Sequence, residues 1–150
     1  MTRLIHMVGD IFGSSAGAIG HGINAKGVMG AGIALQFKKA YPDMYRVYKE
    51  ACDAGMIKGG GSYGWQDPDS GLIIFNICSQ VEPGPNASYD LLVQGVEGSI
   101  NQALWLGIDR IALPRIGSGI GGLDDDVVEA ILEVLAEKTT VDIELWTYRS

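Results

Sequence analysis

The chain has 150 residues, of which 47% are hydrophobic and 19% are charged. This length and composition predict one globular domain over residues 1–150 and exclude an intrinsically disordered chain. No apolar run reaches the ~18 residues that a membrane span needs. The net charge of −7 argues against non-specific nucleic-acid binding through a cationic surface.

Two further features narrow the class of protein. The N-terminus enters a strand-like run without the long apolar segment of a signal peptide, which predicts a cytoplasmic protein. Cys52 and Cys78 lie far apart and outside any Cys-x-x-Cys or histidine cluster. We therefore expect neither a disulfide framework nor a metal site, and no cofactor; the composition permits a monomer.

The hydrophobic pattern predicts helices interleaved with strands. Strands are predicted at residues 4–8, 16–24, 62–66, 72–78, 110–113 and 141–148. Apolar residues at helical spacing predict four helices, carried by Met29, Ile33 and Phe37, by Met44, Tyr48 and Cys52, by Leu92, Val96, Ile100 and Leu104, and by Val128, Ile131, Leu132 and Leu135. The order β-β-α-α-β-β-α-β-α-β predicts an α/β fold with three layers, an α/β/α sandwich.

Local signals predict how several of these elements begin and end. Pro42 suits the first position of the second helix, and Gly55 suits its C-terminal stop. Ser88 and Asp124 are the predicted N-caps of the third and fourth helices. Apolar and polar residues alternate in the last strand, which predicts one covered face and one more exposed face.

Two glycine-rich loops each join a predicted strand to a predicted helix. One covers residues 24–32 and the other residues 113–123, where four glycines fall within six residues. Glycine lets the backbone approach a ligand closely, and the free N–H groups of such a loop can bind phosphate.

The second loop also spells G-x-G-x-x-G through Gly117, Gly119 and Gly122. This motif marks a dinucleotide-binding fold when it joins the first strand to the first helix, but here only one helix and one strand follow it. We therefore reject the dinucleotide fold. A generic nucleotide-binding α/β protein that uses only this loop remains an open alternative.

These two loops and the segment Gly9-Asp10-Ile11-Phe12, in this order, resemble the macro domain family, which binds ADP-ribose. The resemblance covers nearly the whole chain, and it implies a mixed central sheet. The stretch Met29-Gly30-Ala31-Gly32-Ile33-Ala34 is most similar to one branch of the family. That branch contains the terminal ADP-ribose protein glycohydrolases, the macro-domain antitoxins that reverse DNA ADP-ribosylation, and the ADP-ribose 1″-phosphate phosphatases.

The resemblance implies ligand-binding roles for residues in all three segments. The Asp10 carboxylate is expected to accept a hydrogen bond from the adenine amino group, with Ile11 and Phe12 as walls of the adenine pocket. Asn24 is expected to hydrogen-bond the distal ribose. The expected contacts of the first loop with the distal ribose and phosphates come from Gly27, Val28, Met29, Gly30 and Gly32. Those of the second loop with the diphosphate come from Pro114, Ile116, Gly117, Ser118, Gly119 and Ile120.

His21 and Asp124 are the candidate catalytic residues. The family often has Asn-Ala-Ala-Asn where this chain has His21-Gly22-Ile23-Asn24, and a histidine can act as a base or nucleophile near neutral pH. Strand alternation instead places His21 on the face opposite Asn24, as a packed histidine. Asp124 could orient water or a proton, or it could only cap the helix that follows.

The chain departs from the glycohydrolase pattern at two positions. The glycohydrolase and antitoxin relatives place a lysine at about Ser79 or Gln80, whereas this chain has no lysine between Lys58 and Lys138. The aspartate of the second loop in the glycohydrolases falls near Gly121. We therefore expect no lysine-adduct mechanism.

The resemblance implies a hydrolase that acts at the distal ribose 1″ position. Its substrate is expected to be ADP-ribose 1″-phosphate or an ADP-ribosylated macromolecule. The missing lysine favours an alternative, a reader module that binds ADP-ribose without cleaving it. In both cases ADP-ribose or an ADP-ribosylated substrate is the expected partner, and a membrane is not.

Overall fold

The structure is a computed structural model that describes residues 4–148. Within that range the chain forms six strands, β1 (Leu4–Val8), β2 (Ala18–Ile23), β3 (Ser62–Gln66), β4 (Ile73–Cys78), β5 (Arg110–Leu113) and β6 (Asp142–Thr147). The helices are α1 (Gly32–Ala40), α2 (Pro42–Asp53), α3 (Tyr89–Leu106) and α4 (Asp125–Glu137), with short 3-10 turns at Ile11–Gly13 and Gly119–Gly121. The predicted order of strands and helices is confirmed.

All six strands form one mixed sheet in the order β1-β6-β5-β2-β4-β3. Five strands run parallel, and β3 pairs antiparallel with β4 at one edge. The carboxyl ends of β1, β6, β5, β2 and β4 therefore share one edge of the sheet. Between the neighbours β5 and β2 the chain departs in opposite directions, which in α/β sheets opens a crevice for a ligand.

Helices cover both faces of the sheet, which confirms the three-layer sandwich. One core packs α3 and α4 against the sheet through Leu92, Val96, Val128, Leu132, Phe75, Ile77, Leu113 and Leu145. The other packs α1 and α2 against the opposite face through Phe37, Met44, Tyr48, Ile19, Ile74, Cys78 and Ala112. Alternate residues of a strand point to opposite faces, so Ala112 belongs to one core while Leu113 belongs to the other.

The predicted helix ends are confirmed where a side chain or glycine sets them. The Ser88 Oγ accepts a hydrogen bond from the N–H of Leu91 at the start of α3. The Asp124 carboxylate caps α4. Gly55, just beyond α2, has φ +70°, the left-handed conformation that favours glycine after a helix.

The prediction of an exposed face on the last strand is wrong. β6 lies between β1 and β5 and packs against α4, while residues outside the helices enclose the Glu144 carboxylate, so Glu144 is only 1% exposed. Its carboxylate accepts hydrogen bonds from Ser14 Oγ (2.7 Å) and Trp146 Nε1 (2.8 Å) and pairs with Arg110 (3.2 Å). A buried and fully partnered carboxylate produces the same alternating pattern as an exposed one.

Met29 and Leu104 do not occupy the buried helical positions that their spacing predicted. α1 begins at Gly32, three residues later than the spacing predicted, and Met29 is a buried loop residue rather than a helical one. Leu104 is 51% exposed because each step of four residues rotates about 40° around a helix, and near the end of α3 the buried face passes through Ala103 instead. Within residues 4–148, no helix is both long and apolar enough to cross a membrane.

Candidate functional site

A cavity of about 470 Å³ opens at the carboxyl edge of the sheet, where β5 and β2 diverge. The loops after β2, β4 and β5 form its walls. Ten of the residues predicted from sequence line it: Asn24, Val28, Gly30, Gly32, Pro114, Ile116, Gly117, Ser118, Gly119 and Ile120. The two glycine-rich loops therefore face one common space.

The start of α1 contributes open backbone donors to this cavity. Its N-cap, Ala31, has no side chain that can accept a hydrogen bond, so the first N–H groups of the helix stay uncapped. Gly30, Ala31 and Gly32 all line the cavity. An uncapped helix N-terminus carries a partial positive charge and favours an anion.

The loop after β5 faces α1 with further backbone donors. Gly117 has φ +81°, and a Cβ there would lie 2.6 Å from Leu123 Cδ1, so only glycine fits this position. The N–H groups of Gly117 and Ile120 have no hydrogen-bond partner among the described residues. A Cβ on Gly32 would lie 3.4 Å from Ile120 Cδ1, which shows how closely the two loops approach.

Asn24 holds the shape of the first loop with its own side chain. Its Oδ1 accepts from the N–H groups of Lys26 (3.0 Å) and Val28 (3.3 Å), and its Nδ2 donates to the Val28 carbonyl (2.8 Å). The Tyr48 hydroxyl donates to the Asn24 carbonyl at 2.7 Å, and burial raises the pKa of Tyr48, which keeps it a donor. One N–H of the Asn24 amide is left for a ligand.

The expected adenine-binding segment lies after β1, at the same edge of the sheet as the cavity but outside its lining. Asp10 Oδ1 accepts a hydrogen bond from the Phe12 N–H (2.9 Å), which starts the short 3-10 turn. The Phe12 ring packs 4.7 Å from the Phe37 ring, and Ile11 is buried in the α1/α2 core.

Two residues of the first loop also lie behind the cavity wall. The Gly27 carbonyl accepts a hydrogen bond from the Tyr45 hydroxyl at 2.9 Å. Met29 is 1% exposed and packs in the α1/α2 core. Both residues support the loop from behind.

His21 lies in the core under α1, with no exposed surface, and does not line the cavity. Its ring stacks on Phe37 at 4.1 Å between centroids, and its Nε2 lies 2.6 Å from Asn76 Oδ1. An amide oxygen only accepts, so Nε2 carries the proton of the neutral ring. Burial lowers the pKa of His21 to about 4. The geometry matches the packed histidine that strand alternation predicted.

Asp124 does not line the cavity either. Its Oδ1 accepts from the N–H groups of Asp126 (2.9 Å) and Val127 (3.2 Å), and its own N–H donates to the Tyr89 hydroxyl (3.0 Å). The structure places this exposed carboxylate at the N-terminus of α4, where it serves as a helix cap.

The sequence reasoning missed the contribution of the loop after β4 to the binding surface. Ser79, Gln80, Pro83 and Gly84 line the cavity. Gln80 Nε2 donates to the carbonyls of Glu82 (2.7 Å) and Gly84 (2.9 Å) and so holds this loop. The available signal was position, since residues that follow a parallel strand lie at the ligand-binding edge of the sheet.

Gly121, near which the resemblance led us to expect the aspartate of the glycohydrolases, is enclosed by its neighbours. A Cβ there would lie 2.9 Å from the Ala87 Cβ and 3.2 Å from Gln80 Oε1. An acidic side chain at this position would therefore displace Ala87 or Gln80.

Among the described residues that line the cavity, Arg115 is the only one with a charged side chain. Its guanidinium pairs with Glu129 at 2.9 Å and lies 3.4 Å from Thr147 Oγ1, so it is held by the protein. The cavity wall carries no imidazole, carboxylate or amine within the described part of the chain. The chemistry of this site rests on backbone N–H groups and on neutral polar side chains.

Comparison with known proteins agrees with this geometry. A family model described as Macro domain matches residues 21–132. A DNA ADP-ribosyl glycohydrolase of Thermus aquaticus is 31% identical over an alignment of 146 positions that covers 93% of this chain and 39% of that protein. The human ADP-ribose glycohydrolase OARD1 is 25% identical over an alignment of 150 positions that covers 97% of this chain and 92% of that protein.

Solved structures show the same fold. The macrodomain of Mycobacterium tuberculosis DarG superposes with a TM-score of 0.88 at 29% identity, covering 99% of this chain and all of that one. The chain spans about two-fifths of the length of the DNA ADP-ribosyl glycohydrolases that it matches, 39% in the Thermus aquaticus protein.

Proposed function

Because this chain belongs to the macro domain family, we propose that its cavity binds an ADP-ribosyl group and that the protein is a hydrolase acting at the 1″ position of the distal ribose. The observation that carries the proposal is the pair of glycine-rich loops, in which residues with unpartnered N–H groups line one cavity. A diphosphate needs such donors, and here the backbone supplies them although the net charge of the chain is −7.

The order of the strands supports a direction for the bound ligand. Adenine lies near β1, where Asp10 accepts from its amino group and Ile11 and Phe12 pack against the base. The diphosphate lies between the loops after β5 and β2. The distal ribose then lies toward β4. The distance from β1 to β4 is four inter-strand spacings, about 19 Å, so the edge suits an extended ligand of three parts.

The hydrolysis consumes one water. Its hydroxyl goes to the 1″ carbon or to the phosphorus of a 1″-phosphate, and its proton goes to the leaving group. The chain holds the diphosphate with backbone N–H groups and orients the ribose with neutral polar side chains. We assign no proton transfer to His21, because its ring is neutral and enclosed in the core.

The names of two relatives support hydrolysis as the activity. Both the Thermus aquaticus protein and human OARD1 are named glycohydrolases. This chain covers 39% of the Thermus aquaticus protein, so DNA and protein substrates are tested separately in the assays below.

A reader that binds ADP-ribose without cleaving it is the second candidate. One observation favours it, the absence of an imidazole, carboxylate or amine among the described residues that line the cavity. Recognition needs only the N–H groups and the shape of the loops.

Turnover assays separate these two candidates. The purified chain is incubated with ADP-ribose 1″-phosphate, with ADP-ribosylated DNA and with an ADP-ribosylated protein, and released phosphate and ADP-ribose are measured. Release from one of these substrates supports the hydrolase. Tight binding of ADP-ribose without any release supports the reader.

We further propose that the protein is cytoplasmic and monomeric and does not bind nucleic acid non-specifically. The acidic balance of the chain, with a net charge of −7, supports the last of these expectations. Light scattering after size exclusion tests the monomer.

A further inference from the structure

Ser79 presents an unusual hydroxyl to the cavity. The residue lines the cavity and is 1% exposed, and none of the hydrogen bonds among the described residues involves its Oγ. The other neutral polar side chains that line the cavity, those of Asn24, Gln80 and Ser118, donate to loop carbonyls. Since buried polar groups are normally partnered, the Ser79 hydroxyl is available to a ligand.

The backbone fixes this hydroxyl in place. The Ser79 N–H donates to the Ile77 carbonyl (2.9 Å), and the Ser79 carbonyl accepts from the Ser88 N–H (3.0 Å). These bonds tie the residue to the end of β4 and to the start of α3. A ligand therefore meets a group whose position is set before binding.

A missing side chain leaves the space in front of Ser79 open. A Cβ on Gly22 would lie 2.9 Å from Ser79 Oγ and 3.0 Å from Ile116 Cγ2. Gly22, Ile116 and Ser79 all line the cavity. The absence of that Cβ lets a ligand oxygen approach Ser79 Oγ.

Strand order places Ser79 at the far end of the bound ligand. The donors for the diphosphate lie on the loops after β5 and β2, and β4 is the next strand beyond β2. A ligand part that continues past the diphosphate in this direction reaches the carboxyl end of β4. This part is the distal ribose in the direction proposed above.

We propose that Ser79 is the positioning residue for the distal ribose, through a hydrogen bond between its Oγ and the oxygen on the 1″ carbon. This inference rests on the proposed function, since it takes ADP-ribose as the ligand. It makes Ser79 a determinant of the preference for ADP-ribose over ADP, which lacks the distal ribose.

Calorimetric titration of the Ser79→Ala variant with ADP-ribose and with ADP tests the assignment. The substitution removes one hydroxyl and leaves the backbone contacts of Ser79 in place. We expect the affinity for ADP-ribose to fall about fivefold, the effect of one neutral hydrogen bond, while the affinity for ADP is unchanged. If Ser79 had only a structural role, the substitution would lower the affinities for ADP-ribose and for ADP by the same factor.

Ser118→Ala is the matched control, because Ser118 lines the same cavity but its hydroxyl already donates to the Arg115 carbonyl (2.8 Å). Any loss in this variant is expected to be equal for ADP-ribose and ADP. If Ser79→Ala keeps the full preference of the native chain for ADP-ribose, the role of Ser79 is refuted and the proposed function stands. If the native chain shows no preference for ADP-ribose over ADP, both proposals fail together.

Discussion

At the residue scale, the surroundings of His21 decide its protonation. The ring is stacked on Phe37, hydrogen-bonded to Asn76 and closed off from water, and its pKa is lowered to about 4. The unfolded chain returns the imidazole to water and to its ordinary pKa of about 6.5. The folded state therefore binds fewer protons than the unfolded state at mildly acidic pH.

The consequence is a stability that falls as the pH falls. Above about pH 6.5 the ring is neutral in both states and its titration does not change the free energy of unfolding. Below that pH the unfolded state binds a proton first, which favours unfolding. Between about pH 7 and about pH 5 this single group is expected to lower the free energy of unfolding by about 2 kcal/mol.

Urea unfolding of the native chain and of the His21→Gln variant at several pH values measures the contribution of His21 to the free energy of unfolding. Glutamine keeps an amide donor for Asn76 but does not titrate, so the native chain is expected to lose about 2 kcal/mol more than the variant over the same interval. Equal losses in the two proteins would show that His21 is not held neutral by the fold. His6 and the carboxylates are common to both proteins and cancel in the difference.

At the element scale, the N-terminus of α1 carries both a stability cost and a binding function. Ala31 has the extended backbone of an N-cap, with φ −154° and ψ 165°, but no side-chain acceptor. The open N–H groups that would otherwise be capped face the cavity. Selection for stability alone would place serine, threonine or aspartate at this position.

Ala31→Asp is therefore expected to change stability and binding in opposite directions. The carboxylate caps α1 and raises Tm by about 2–4 °C, for a gain of about 1 kcal/mol. It also repels the diphosphate, and at least a tenfold loss of ADP-ribose affinity is expected, because like charges ~4 Å apart near a surface repel by about 1–4 kcal/mol. Thermal melts and calorimetry measure the two effects on the same samples.

Ala31→Ser separates the cap from the charge. It is expected to raise Tm in the same way and to reduce ADP-ribose affinity less than Ala31→Asp does, since serine brings no negative charge. If Ala31→Asp stabilises the protein and leaves ADP-ribose affinity intact, the phosphate does not bind at the start of α1.

The order of the helices and strands could be predicted from the sequence, whereas one helix boundary could not. The order of elements and the caps at Ser88 and Asp124 follow from local spacing and side-chain chemistry, and all are confirmed. The start of α1 was misplaced because the buried Met29 continues the apolar spacing of that helix without belonging to it. Periodicity reports burial, and a buried loop residue can match the helical period.

Strand order could not be derived from local pattern, and the contribution of Ser79 depends on it. Nothing in the sequence near Cys78 states that β4 pairs with β2, a contact between residues about 55 positions apart in the chain. The same pairing places Asn76 against His21. The glycine-rich loops were recognisable because their composition is itself the signal.

At the scale of the whole molecule, the two cores share the strands that separate them. Ala112 packs in the α1/α2 core, and its neighbours Ile111 and Leu113 pack in the α3/α4 core. The two helix layers cover opposite faces of the same strands. If either layer were lost, strands that also form the core under the other layer would be exposed to water on one face. We propose on this basis that residues 1–150 form a single cooperative domain.

Chemical unfolding followed by two probes tests this proposal. Of the three tryptophans, Trp146 and Trp65 pack in the α1/α2 core and Trp105 is 90% exposed. The change in fluorescence on unfolding therefore reports mainly on the α1/α2 core, while far-ultraviolet circular dichroism reports on all helices. Coincident transitions are expected for one cooperative unit. Two separated transitions would show that the helix layers unfold independently.

The central claim is that the cavity between the two glycine-rich loops is built for ADP-ribose, and calorimetric titration of the native chain with ADP-ribose, AMP and NAD tests it most directly. The account predicts one site per chain and an ADP-ribose affinity at least about tenfold above that for AMP or NAD, a difference of ~1.4 kcal/mol. Equal affinities for the three ligands, or no binding of ADP-ribose, would contradict the account.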